Sequence, residues 1–152
     1  MAELNAYLRF NGNCREAMEF YRDCLGGTLS ITPVKDSPIA KVQPPEMQDK
    51  IAHSALTNGS TMLMGADNFE KAEYRHGNDF SLSLICKSKQ EIELLFSKFS
   101  AGATAVIPLQ QAFFGTFGRL TDKYGFSWLL EYNEAKVPEA AASVQSCEET
   151  FY

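Results

Sequence analysis

One order of elements occurs twice along this chain, and that repeat constrains the fold more than any single residue does. Residues 4–10, "LNAYLRF", read as a strand that stops at Asn11-Gly12-Asn13. The next segment, "CREAMEFYRDCLGG", is apolar at Ala17, Phe20, Tyr21, Cys24 and Leu25, the i, i+3, i+4, i+7, i+8 stripe of an amphipathic helix. Asn13 is placed to cap that helix, Glu16 follows three residues on as in a capping box, and Gly26-Gly27 ends it. "TLSITPV" reads as a second strand. "IAHSALTNGSTMLMGAD" reads as two more, joined at Asn58-Gly59, a two-residue hairpin signal. After a polar stretch the order starts again. "FSLSLIC" is a strand, and "SKQEIELLFSKFSAG" is a helix capped by Ser88 and Glu91, with Ile92, Leu95, Phe96 and Phe99 on one side. "ATAVIPL" is a strand, and "FGRLTDKYGFSWLLEY" is a hairpin that turns near Lys123-Tyr124-Gly125.

The two halves can be overlaid. Glu16 falls on Glu91 and Gly27 on Gly102, 75 positions apart; further on, Gly59 falls on Gly125, Thr61 on Ser127 and Leu63 on Leu129, 66 apart. A repeat of strand, helix, strand, hairpin means two copies of one βαβββ unit. Each unit's sheet has an apolar face that needs cover, so the expectation is an α+β fold of two modules packed into one structural domain. The expected division is residues 1–67 for the first module, 68–78 for a linker, 79–133 for the second module and 134–152 for a tail without amphipathic pattern. Residues 36–50 carry Pro38, Pro44 and Pro45 and read as a loop with one short helical turn after Pro45.

Charge and cysteine content narrow the functional classes. The 152 residues carry a net charge of −5, and the pI is near 5.0. A basic field for nucleic acid or an anionic membrane is missing, so neither is expected as a partner. No apolar run has the length of a membrane span and the N-terminus is not a basic-then-apolar leader, so the expectation is a cytoplasmic protein. Four cysteines, Cys14, Cys24, Cys86 and Cys147, form no C-x-x-C pair, which argues against a zinc knuckle or a dithiol redox motif and for reduced thiols.

Three stretches carry a family resemblance: "YLRFNGNCREAMEFYRDCLGG", "IAHSAL…STMLMGAD" and "FGRLTDKYGFSW". Across residues 4–132 the chain resembles the vicinal-oxygen-chelate superfamily, and within it the PhnB-like, glyoxalase-related branch. The resemblance implies cupped mixed sheets, the glyoxalase/bleomycin resistance fold. That superfamily includes metal-dependent glyoxalases, extradiol dioxygenases, thiol transferases and metal-free drug-sequestering proteins, so the fold alone does not choose a function. An old label for the branch suggests a ubiquinone-pathway methyltransferase, although no segment resembles a site for a nucleotide methyl donor. In catalytic members, each module gives two ligands to one divalent ion. Carried onto this chain, those positions are Asn5 and Leu63 or its neighbour Met64, then one near Ser81, and Leu129. Such an ion needs imidazole or hard oxygen donors. This set supplies few, so no metal is expected.

The resemblance also implies a ligand-lining role for the last strands of each module. Phe113, Phe114, Phe117 and Trp128 would form an apolar wall with Tyr7, Met62 and Met64 as companions, suited to a flat or greasy ligand. Packing under the helices is the alternative for any of these rings. Arg9 and Arg119 lie on strands, where an inward guanidinium would clamp an anion and an outward one would be solvated. Three weaker candidates for catalysis are His53 in a strand, Cys14 at a helix start, where the helix dipole favours a thiolate, and Glu131 at a strand end. Each has a plain structural alternative. The expected function is metal-free binding of a small, partly apolar ligand by a homodimer. The alternatives are a metal-dependent lyase or dioxygenase-like enzyme with a non-standard site, and a structural or interaction module.

Overall fold

The computed structural model describes residues 1–70 and 73–136, which fall in two compact units, Met1–Gly77 and Asn78–Tyr152. The first holds β1 (Ala6–Phe10), α1 (Cys14–Leu25), β2 (Thr28–Pro33), β3 (Ile51–Asn58) and β4 (Thr61–Asp67). The second holds β5 (Leu82–Cys86), α2 (Lys89–Phe99), β6 (Thr104–Ala112), β7 (Gly115–Thr121) and β8 (Ser127–Tyr132). Both units have the same mixed, four-stranded sheet. The strand orders are β1-β4-β3-β2 and β5-β8-β7-β6, with the first pair parallel and the others antiparallel. This is the α+β glyoxalase/bleomycin resistance fold, each unit a βαβββ module.

Each helix covers one face of its own unit's sheet. Under α1 lie Ala17, Met18, Tyr21 and Cys24, facing Leu8, Phe10, Leu56 and Leu63, all buried. The buried stripe keeps Ala17, Tyr21 and Cys24 of the expected one and adds Cys14 and Met18, while Phe20 and Leu25 are half-buried. Under α2, Ile92 and Phe99 pack with Leu120, Trp128 and Leu130. Fully burying one such side chain stabilises by about 1.5–3 kcal/mol, so the helix-covered faces account for much of each unit's stability. Gly118 on β7 allows the close approach: a Cβ there would collide with the ring of Phe96.

The two helix starts are capped differently. Ser88 Oγ accepts from Glu91 N at 3.0 Å, and Glu91 Oε2 accepts from Lys87 N at 2.6 Å, close to the expected box. Asn13 makes no side-chain cap bond. Its place is taken by Asp67, at the end of β4, whose Oδ1 accepts from Cys14 N at 3.0 Å and whose Oδ2 accepts from Ile51 N at 2.8 Å. A buried carboxylate at a helix N-terminus meets both the orphan N–H and the positive end of the dipole. The α1 C-terminus requires Gly27, which has φ 95° and where a Cβ would strike the Thr57 carbonyl.

Three segments carry detail beyond the expectation, the first of them keeping the short helical turn expected after Pro45. Residues 34–47 contain three 3-10 turns, Val34–Asp36, Ala40–Val42 and Pro45–Met47, tied by Gln48 Nε2 to the carbonyls of Ala40 and Gln43 at 2.9 Å each. In the stretch expected as a linker, Glu70 meets Arg9 and the Tyr74 hydroxyl donates to the Arg9 carbonyl at 2.7 Å. The expected tail begins with the 3-10 turn Glu134–Lys136, and from residue 137 it lies outside the described residues. Among the described residues, no helix is long and apolar enough to cross a membrane.

Candidate functional site

Side chains alternate between the two faces of a strand, so the face away from α1 can be read from the register. Tyr7 stands beside Met64, which stands beside Ala55 and then Ser30; Arg9 stands beside Ala66, and His53 beside Thr32. Met62, beside Thr57, shares this side. An uncovered sheet face is ordinarily polar. This one shows Tyr7 at 48% and Met62 at 40% exposure.

The polar centre of that face is a pair. The Tyr7 hydroxyl lies 3.2 Å from His53 Nδ1, with the ring centroids 5.8 Å apart. Partial burial raises the Tyr7 pKa above its ordinary value; Cys14 adds to the rise and Arg9 opposes it. The phenol therefore stays protonated at neutral pH and can donate to Nδ1. A neutral His53 in that arrangement carries its proton on Nε2, which is then a hydrogen-bond donor. Arg9 Nη1 bonds Glu70 Oε1 at 2.7 Å, both side chains being exposed. Tyr7, Arg9, Ala52, Ala66, Phe69 and Glu70 line a hollow of about 200 Å³. A second hollow of about 440 Å³, by the β3–β4 turn, is lined by Asn5, Thr57, Ser60 and Met62 among others.

Two sequence candidates leave the site. Cys14 is 0% exposed, its Sγ 3.5 Å from Ser54 Oγ, which in turn donates to the Gly65 carbonyl at 2.8 Å. Burial pushes its thiol up to about 12, the opposite of the thiolate that a helix start suggested. The desolvation cost outweighs the dipole because Cys14 points under the helix. Trp128 is 2% exposed, packs on Phe99 with centroids 4.6 Å apart and donates from Nε1 to Asp122 Oδ2 at 2.7 Å. It belongs to the covered core and not to an apolar wall.

The face of the second sheet away from α2 carries Ser83, Leu129, Arg119 and Ile107 in one register row and Ile85, Glu131, Phe117 and Gln110 in the next. Phe114 packs on Phe117 with centroids 5.4 Å apart. Phe113, at the tip of the β6–β7 hairpin, is fully exposed and touches Phe114 edge-on at 5.1 Å.

The four metal positions carried over from the superfamily do not fit a divalent ion. Asn5 offers only a neutral amide, Leu63 faces the covered core, Met64 offers a thioether, Leu129 offers nothing, and the Ser81 hydroxyl is bonded to that of Ser127 at 2.7 Å. Among the described residues, no three His, Cys, Asp or Glu side chains stand together as a metal-binding group.

The sequence reading missed Glu70, and it noted Asp67 only as the first-module counterpart of Glu131, not as a helix cap. Glu70 carries no local signal, because its contact with Arg9 spans 61 positions. Asp67 had one: a carboxylate ending a strand that runs beside the strand leading into a helix.

A family model described as 3-demethylubiquinone-9 3-methyltransferase matches residues 2–131. The crystal structure of protein PA1353 from Pseudomonas aeruginosa is 38% identical, with a TM-score of 0.79 over 88% of this chain and 98% of that one. The PhnB protein from Bacillus cereus is 26% identical, with a TM-score of 0.70 over 86% of this chain and 99% of that one. A glyoxylase/bleomycin resistance protein/dioxygenase domain from Frankia sp. EAN1pec shares the fold at 14% identity, with a TM-score of 0.60 over 88% of this chain and 93% of that domain.

Proposed function

The chain belongs to the family described as 3-demethylubiquinone-9 3-methyltransferase, the PhnB-like branch of the vicinal-oxygen-chelate superfamily, and from that premise we propose that it binds a small, partly apolar molecule without a metal ion. The observation that carries this is the hydrogen-bonded Tyr7–His53 pair standing beside the Met62 and Met64 thioethers on an uncovered sheet face. Pliable thioethers and a phenol ring suit an apolar body. The His53 imidazole and the Arg9 guanidinium suit a polar edge. The donor set supports metal independence, because thioether and leucine positions cannot ligate a hard divalent ion and Asn5 and Ser81 offer only weak neutral oxygens. Methyl transfer, which the family's description names, would require a nucleotide-type methyl donor, and no segment of the chain resembles a site for one.

The test uses the whole chain, stripped with chelator. Calorimetric titration with nickel, zinc, manganese and ferrous ions is expected to give only weak surface binding. Tight one-to-one binding lost in His53→Ala would overturn the metal-free reading. In parallel, a panel of flat aromatic and aliphatic small molecules is screened by thermal shift with chelator present. A true ligand at a hundred times its Kd stabilises by about 2.7 kcal/mol, a shift well above noise. That shift is expected to disappear in Tyr7→Ala and in Met64→Ala, and its persistence in both would move the ligand off this face.

A further inference from the structure

We propose that the second unit carries an anion subsite of its own, in which Arg119 takes the carboxylate of an amphiphilic molecule whose apolar body lies on Ile107, Leu129 and Phe117. Arg119 is not at a sheet edge. It sits on β7, between β8 and β6, with Leu129 directly opposite on one side and Ile107 on the other. Phe117 and Ile85 occupy the next row of the same face. Ile85 is 57% and Ile107 36% exposed. Within the unit, α2 covers the opposite face.

Among the described residues the cation is uncommitted. Arg9, Arg22 and Arg75 each hold a carboxylate at 3.2 Å or less. Arg119 makes no hydrogen bond or ion pair with another described residue, although Glu131 stands on the same face, one row along and diagonal to it. Residues directly opposite on neighbouring strands are about 5 Å apart and diagonal ones about 7–8 Å. The guanidinium therefore has Leu129 and Ile107 at its sides and Phe117 in the next row, with the polar Thr121–Ser127 row beyond it, and among the described residues nothing pairs its fork of donors. Such a fork matches a carboxylate in two-bond geometry from its exposed position, and the flanking apolar groups give the attached body a surface to lie on. The apolar neighbours need a hydrocarbon or aromatic body attached to that carboxylate. Glu131 adds a restriction: its charge repels a second anionic group on the Phe117 side, so a monocarboxylate fits and a dicarboxylate does not.

This inference stands on residues of the second unit alone, and its test separates it from the first-unit reading. Full-length 15N-labelled protein is titrated with phenylacetate and with its neutral isostere phenylacetamide, and backbone amide shifts are followed. Phenylacetate is expected to shift the β7 and β8 amides in a saturable way, with Arg119→Gln weakening it about tenfold, the scale of one charge-assisted contact. Phenylacetamide is expected to bind as weakly to the native chain as phenylacetate does to the variant. Arg9→Gln and Tyr7→Ala are expected to leave these shifts unchanged. Equal affinity for the acid and the amide, unchanged binding in Arg119→Gln, no saturable shift, or loss of binding in Arg9→Gln would each overturn the proposal. The reference spectrum of Arg119→Gln checks its fold.

Discussion

Asp67 shows how a single side chain can do two structural jobs. One carboxylate oxygen caps the start of α1 and the other ties down the start of β3, and both N–H groups it serves are buried. Asp67→Ala leaves two donors without a partner, each at about 1–3 kcal/mol, so the expected loss is about 3 kcal/mol. Asp67→Asn keeps one acceptor oxygen and is expected to lose less than half as much. Urea denaturation checks both, with the midpoint moving and the m-value unchanged. Cys14 is the companion case. Its place at a helix start was legible in the sequence, but the side of the helix it faces was not. That side decides its chemistry, because a thiol at 0% exposure with its pKa raised to about 12 is inert. Iodoacetamide at pH 8 is expected to leave Cys14 unmodified in the native chain and to label it in urea, as read by peptide mass spectrometry.

At the scale of elements, the paired caps give a direct comparison. Ser88→Ala removes a cap bond made at 3.0 Å and is expected to cost about 1 kcal/mol. Asn13→Ala removes no cap bond and is expected to cost under about 0.5 kcal/mol, because Asp67 holds that helix end. Thermal melts of the two variants give the ordering; equal losses would show that Asn13 caps α1 in solution. The order of the elements, and the Asn58–Thr61 and Thr121–Ser127 hairpins, were legible because apolar periodicity and turn residues are local signals. The facing of β8 was not. The β3–β4 turn is two residues, while the β7–β8 turn is built around Asp122, whose side chain accepts from Tyr124 N, Phe126 N and Trp128 Nε1. An overlay by 66 positions matches His53 to Arg119 on uncovered faces, yet sets covered Leu63 against uncovered Leu129. The turns hold two and five residues, and an odd difference in turn length flips every side chain after it. This is why Trp128 reads as wall in the sequence and stands as core in the fold.

At the scale of the whole chain, both units bury a thiol, and together they set its response to alkali. Burial raises Cys14 to about 12, and burial with the nearby Glu91 carboxylate raises Cys86 to about 12, against an ordinary value near 9.0. The folded-state pKa therefore lies above the unfolded one. Below about pH 9 both states keep the protons and the full stability is present. Between about pH 9 and 12 the unfolded chain ionises first, so stability falls as pH rises, by up to about 1.4 kcal/mol per pH unit for each thiol. Tyr7 and Tyr74, both raised by burial, act in the same direction at still higher pH. The melting temperature is thus expected to hold level up to about pH 8.5 and to decline above it. The Cys14→Ala, Cys86→Ala double variant starts lower, because two packed sulfurs are gone, but its decline between pH 9 and 10.5 is expected to be much shallower. The slope is the readout: a double variant with the native slope would assign the alkaline loss to groups other than these thiols.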